Sequence, residues 1–203
     1  MKKFSQIALV AIFVAASTLA GHAATNSNTA TVTLNAAVSE SLTIALGGAT
    51  TQTWTGASAL TPGNAANAPS TGATTVNTTW VLQPGRTAVK LFAFFASSAT
   101  ALASATPAAR GGVDIPTSAF EITATGTGAT AGTNAVTQTT AGIGGAGASL
   151  LLQSTTITGT NKVNTTGLAA SLAFNINLSS AAMQQLPADT YSGTLSIMAQ
   201  ATP

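Results

Sequence analysis

The sequence predicts an all-β protein, an antiparallel β-sandwich. Three observations predict it: apolar residues alternate with Thr and Ser at period two along most of the chain, clusters of Gly and Pro separate the alternating segments, and only one short segment has helical character. At 203 residues without a Pro-rich or charged linker, the chain is long enough for one core. Seven or so short strands with Gly-rich turns are typical of a sandwich.

Residues 1–23 have the features of a secretory signal peptide. Lys2 and Lys3 precede an apolar run at 7–14, and Gly21-His22-Ala23 supplies small residues before a cleavage point. The apolar run is much shorter than the roughly 20 residues that span a membrane. We therefore expect cleavage after Ala23 and export of the mature chain.

The first alternating segment is divided at Glu40. A carboxylate at this position would lie on the apolar face of an unbroken buried strand, so the pattern predicts a break near 39–41. We therefore expect an N-terminal extension at 24–39 and a sandwich domain at 40–203. The apolar side chains of the segment, all at even positions, are Val32, Leu34, Ala36, Val38, Leu42, Ile44 and Leu46.

The rest of the chain predicts further strands and one helical turn. Pro84-Gly85 is a strong turn signal, because Pro sets φ and Gly accepts a positive φ, so the strands beside it are expected to form a hairpin. The helical turn is expected at 180–186, ending before Pro187. The predicted strands are Thr78–Gln83, Thr87–Ala96, Phe120–Thr125, Ser149–Thr158, Ser171–Leu178 and Tyr191–Ala201.

Composition excludes several kinds of chemistry. The chain has no Cys, and its single His is His22 in the predicted signal, so disulfides, thiol catalysis and His-based catalysis or zinc binding are unavailable. After cleavage four basic residues balance four acidic ones, which leaves no basic patch for nucleic acid. We interpret Asp114 and Glu121 as surface carboxylates. The glycines of 142–147 indicate a loop, because no phosphate-binding helix is predicted after them. We predict no enzyme activity, no catalytic residue, no cofactor and no metal.

Two terminal segments resemble those of bacterial fimbrial subunits, the pilins of the chaperone–usher pathway. Residues 186–198, Leu-Pro-Ala-Asp-Thr-Tyr followed by an alternating strand, resemble the closing segment of such subunits. Residues 29–38 resemble a pilin N-terminal extension. The resemblance implies an immunoglobulin-like sandwich that lacks its last strand, is handled by a periplasmic chaperone and an outer-membrane usher, and reaches the cell surface in a fimbrium.

The resemblance also implies roles for particular residues. Polymerisation would insert the extension of one subunit into the groove of the next, with candidate side chains Val32, Leu34, Ala36 and Val38. The candidate closing strand beside the groove carries Tyr191, Leu195, Ile197 and Ala199. The alternative hypothesis is a self-contained secreted sandwich, an adhesion or matrix-binding module whose N-terminal strand closes its own sheet.

Overall fold

The alternating pattern folds into two packed antiparallel sheets in a computed structural model that describes residues 31–203. The chain divides into one unit that ends at Ala37 and a second unit, Val38–Pro203, that contains every strand of the described residues. The predicted signal and residues 24–30 of the predicted extension lie outside the described residues. The predicted fold class, an all-β antiparallel sandwich, is confirmed.

The sandwich consists of a five-stranded sheet and a three-stranded sheet. The larger has the strand order β1-β2-β8-β5-β6, the smaller has the order β10-β3-β7, and β4 and β9 form a separate short pair. All pairs are antiparallel. The strands are β1 (Ser41–Gly48), β2 (Thr74–Val81), β3 (Ala88–Phe94), β4 (Ala103–Ser104), β5 (Phe120–Thr125), β6 (Thr133–Ala135), β7 (Ser149–Thr156), β8 (Val163–Ile176), β9 (Tyr191–Ser192) and β10 (Ser196–Thr202).

Several predicted boundaries agree with the structure. β5 has the predicted bounds, and the predicted helical turn contains a short 3-10 helix, Met183–Gln185. The break expected near 39–41 is present, since β1 begins at Ser41 and residues 31–40 form no strand. The prediction at Tyr191–Ala201 was wrong in one respect: β9 and β10 are two strands, separated by residues 193–195.

The hairpin predicted around Pro84-Gly85 is wrong. β2 pairs with β1 and β8 in the larger sheet, whereas β3 pairs with β10 and β7 in the smaller one. The turn therefore carries the chain from one sheet to the other. Trp80 and Val89, on either side of the turn, belong to one small apolar cluster with Leu82 and Ile157.

The main core lies between the sheets and is centred on an aromatic group. The ring of Phe120 makes edge contacts with Phe95 at 5.3 Å and with Trp54 at 6.3 Å, and a tilted contact with Phe174 at 5.9 Å. Such geometries add to the gain from burial. Aliphatic side chains from β2, β3, β5, β7 and β8 surround this group, among them Val76, Leu91, Ile122, Leu150, Leu152 and Leu172.

The two sides of the sandwich are closed to different extents. On the side of β6 and β7, the chain crosses between the sheets: Ala129 bridges to Gln153, and Gln138 bridges to Ser149. On the other side, β1 and β10 are both edge strands, and no strand of residues 31–203 lies between them. The edge between β1 and β10 is where the candidate site lies.

Candidate functional site: the cleft beside strand β10

A cleft of about 1000 Å³ opens between the end of β1 and the start of β10. Leu46 at the end of β1 is half-exposed on one side, and Leu195 and Ile197 lie on the other. The floor is the aromatic centre of the core itself. The apolar lining on the floor and the two strands consists of Leu46, Phe95, Leu102, Phe120, Phe174, Leu195 and Ile197.

One wall of the cleft is the long connection between β1 and β2, residues 49–73. Asn67, which is almost fully buried, holds this connection in shape: its amide nitrogen donates to the carbonyls of Ile176 (2.8 Å) and Asn64 (2.9 Å), and its side-chain oxygen accepts from the N–H of Thr61 (2.9 Å). The Nε1 of Trp54 donates to the carbonyl of Asn67 at 2.9 Å. Trp54 is thereby fixed with its ring against the core and one side on the cleft.

The opposite wall is residues 187–195, which we call the strap. Asp189 fastens it to the β4 region: its carboxylate accepts hydrogen bonds from the hydroxyl of Ser104, from the N–H of Thr106 (2.8 Å) and from the N–H of Thr190 (2.7 Å). These bonds, with that of Ser104 first, lower the pKa of Asp189 to about 2. The hydroxyl of Tyr191 donates to the carbonyl of Pro187 at 2.7 Å, and burial raises its pKa.

The strap lies close to the chain before β4. A Cβ atom on Gly193 would overlap the carbonyl oxygen of Ala101 and would approach the Leu102 side chain. Only a residue without a side chain fits this close approach. Gly193 and the Asp189 carboxylate together hold the strap as a fixed wall.

The edge of β10 that does not pair with β3 begins at the cleft, which Ile197 lines. The carbonyl of Thr202 accepts from the N–H of Thr87 on the β3 side, at 2.9 Å, whereas the carbonyl of Ala201 accepts from the Arg86 side chain, at 3.3 Å. Main-chain groups alternate between the two edges of a strand. Those of Ile197 and Ala199 therefore point to the same side as those of Ala201, away from β3, where no strand of the described chain pairs with them.

At the far end of the same edge, outside the cleft lining, β1 and β10 contact each other beside a charged pair. Arg86 binds the carboxylate of Glu40 through two bonds, Nε to Oε1 at 2.9 Å and Nη2 to Oε2 at 3.1 Å. The guanidinium lowers the pKa of Glu40 and the carboxylate raises that of Arg86. Beside them Leu42 and Ala201 pack against the small apolar cluster around Trp80. β1 therefore starts where β10 ends, and the two edges are closed at this end and open at Leu46 and Leu195.

The structure places the predicted site residues as follows. Val32, Leu34 and Val38 are between 82 and 88% exposed, Ala36 is exposed, and none is in a strand. Ile197 and Ala199 lie in β10 and pack on the main core, as does Leu195 just before it, and Tyr191 is in β9. Sequence reasoning missed the walls of the cleft, because nothing in the composition of residues 49–73 indicated one.

The chemistry of the cleft is that of an apolar, strand-shaped surface. Asp189 is the one carboxylate of its lining, and it is engaged within the chain. Within residues 31–203 no group of three or more His, Cys, Asp or Glu side chains is placed to hold a metal ion. No helix in that range is long and apolar enough to cross a membrane.

Comparison of the chain with protein-family models, with curated proteins and with solved structures finds no match.

Proposed function

We propose that this chain is a secreted structural subunit of a surface fimbria or fimbria-like filament, which polymerises by strand complementation and supports attachment. The observation that carries the proposal is the free edge of β10 beside an apolar cleft. An unpaired strand edge is a template for pairing with another chain, and secreted proteins normally cover it. In this chain, the unpaired main-chain groups of β10 could form hydrogen bonds with an added strand, and the apolar floor could bury the side chains of that strand.

The extension supplies a strand of matching character. Its even side chains are apolar and its odd ones are mostly polar, so one face would enter the cleft while the other faces solvent. The C-terminal end of the inserted extension continues into the sandwich of its own subunit at Glu40. It therefore has to leave the cleft of the accepting subunit at the open end, beside Leu46 and Leu195. The inserted strand then runs antiparallel to β10.

The side-chain sizes are compatible with that orientation. In the antiparallel register that sets Leu34 opposite Ala199, Ala36 lies opposite Ile197, so a large side chain meets a small one at both of these positions.

Export and assembly follow from the same proposal. The subunit would pass through the periplasm to the cell surface, with a chaperone covering the cleft and an usher ordering the polymer, as the resemblance to fimbrial subunits implies. With no cysteine in the chain, the link between subunits would be non-covalent. A described chain with equal numbers of acidic and basic residues offers little electrostatic resistance to association.

The test is a denaturing gel of surface-shed material, run with and without boiling and probed for this chain. We expect a ladder in the unheated lane that collapses to monomer on boiling. Leu34→Asp should abolish the ladder, because it would place a charge in the apolar cleft. The matched control Asn35→Asp, on the polar face of the same strand, should keep it.

A single monomer band in both lanes would overturn the proposal. It would leave the self-contained secreted sandwich, acting as an adhesion or matrix-binding module, as the better account.

A further inference from the structure

We propose that the exit segment, Val38-Ser39-Glu40, prevents the extension from folding back into its own cleft, so that its strand can be delivered only to another copy of this chain. The inference rests on the proposed function. It identifies the occupant of the cleft and the device that selects it, and it concerns the three residues where the chain enters β1.

The first part of the device is an anchor. The two bonds between Glu40 and Arg86 attach the chain to the turn between β2 and β3, and the N–H of Gln83 points at the same carboxylate, at 3.4 Å. The next residue, Ser41, is already in register with Val81 of β2. A fold-back would therefore have to reverse the chain before Glu40 or at it, and the shortest reversals use residues 38–41.

The second part of the device is side-chain parity. The tightest reversal, a two-residue loop at Ser39-Glu40, would pair Val38 with Ser41 and every even residue of the extension with an odd residue of β1. Paired residues of antiparallel strands share a face. The apolar side chains of the extension would then join exposed Ser41 and Thr43 on the outer face instead of entering the cleft.

The third part of the device is the absence of turn residues. A three-residue loop, at 38–40 or 39–41, would restore the inward parity, but such loops normally have a residue in the left-handed region, usually Gly. The segment 38–41 contains no Gly, Asn, Asp or Pro. In the described chain, positive φ values occur at glycines alone. The short reversals at 38–41 are therefore disfavoured, the two-residue loop by its parity and the three-residue loops by their sequence.

The experiment supplies the missing turn. Asn-Gly is inserted between Ser39 and Glu40 of the full chain, so that Ser39-Asn-Gly can form a three-residue loop with Gly at the left-handed position, and Val38 then pairs with Glu40, which restores the inward parity. The same dipeptide is inserted between Asn28 and Thr29 as a control of equal length. Two quantities are measured: the fraction of chain in the unheated ladder, and the hydrogen exchange of the Ile197 and Ala199 amides in the monomer fraction from gel filtration. These two amides report whether a strand occupies the free edge of β10.

We expect the wild type and the control to polymerise, with fast exchange of both amides in their monomers. The variant with the insertion at Ser39 should remain monomeric, with both amides slowed by about a hundredfold or more, because its own extension now pairs with β10.

Each other result has a definite meaning. A variant that polymerises like the wild type, or that stays monomeric with both amides still exchanging fast, would overturn this inference and leave the proposed function standing. A wild type that forms no ladder would overturn the proposed function itself. A wild-type monomer with both amides already protected would overturn this inference, since its own extension would be closing the sheet.

Discussion

The Asp189 carboxylate makes the strap sensitive to acid. Its pKa of about 2 lies below the ordinary value of 3.8 because three donors favour its charged form. A lowered pKa in the folded state means that the stabilisation is complete above the ordinary value and is lost as the pH falls from there to about 2. Asp189→Asn should therefore lower the melting temperature at pH 7, and the difference from wild type should shrink across that window.

Thermal unfolding of the two proteins between neutral and strongly acidic pH checks this prediction. Glu121→Gln is a suitable control, since that carboxylate also accepts two hydrogen bonds, from Asn175 and Asn177, but lies outside the cleft lining. A difference between Asp189→Asn and wild type that stayed constant down to pH 2 would show that the charge of Asp189 does not hold the strap.

Gly193 tests the close approach of the strap to the chain before β4. Gly193→Ala should destabilise the protein by about 1–3 kcal/mol, because the added methyl group meets the Ala101 carbonyl and the strap has to shift. The matched control is Gly72→Ala, at a position whose Cβ would meet nothing within 4 Å. Urea unfolding should find the control within about 0.5 kcal/mol of wild type. Equal effects of the two substitutions would contradict the close approach.

Among the structural elements, the β1–β2 connection depends on one buried amide. Asn67→Ala would remove the side-chain partner of the Ile176 carbonyl and of the Thr61 N–H, which should lower the free energy of unfolding by about 2–4 kcal/mol. The Asn64 carbonyl would keep its bond from the N–H of Leu178. Urea unfolding at neutral pH measures the loss, with Asn134→Ala as the control, because the side chain of Asn134 bonds only exposed carbonyls of its own turn. A loss no larger than that of the control would mean that Asn67 does not hold the wall.

The elements also differ in how well the sequence predicted them. β5 and β7 begin where predicted, because alternating apolar residues between turn residues leave little choice of register. β8 begins at Val163, eight residues before the prediction, because Thr, Gly and Ala at 163–170 do not alternate apolar with polar. The hairpin at Pro84-Gly85 failed because a turn signal defines where a chain bends but not which sheet the next strand joins.

For the candidate site, the sequence predicted the strand beside the cleft but not the cleft itself. The alternation of Leu195, Ile197 and Ala199 predicted a strand with one apolar face, and the structure places these residues against the core. The floor and walls come from residues far apart in sequence, such as Trp54, Phe120 and Asp189. Their proximity follows from the sheet order, which no local pattern encodes.

At the scale of the whole molecule, the charges of the described chain are few and largely used within it. Its four carboxylates all accept hydrogen bonds from the same chain. An ion pair between copies would therefore have to use a carboxylate that is already bonded within its own chain. They are Glu40, Asp114, Glu121 and Asp189. A polymer held by apolar insertion and main-chain pairing should then depend little on ionic strength.

We accordingly expect the ladder to be as abundant at about 1 M sodium chloride as at about 0.1 M, although the Debye length falls about threefold between them. Boiling in detergent should still dissociate it, because heat unfolds the sandwich that holds each inserted strand. Quantifying the bands after incubation at each salt concentration checks this. A ladder that disappeared at high salt would show that charged groups join the copies, and would point to a surface other than the cleft beside β10.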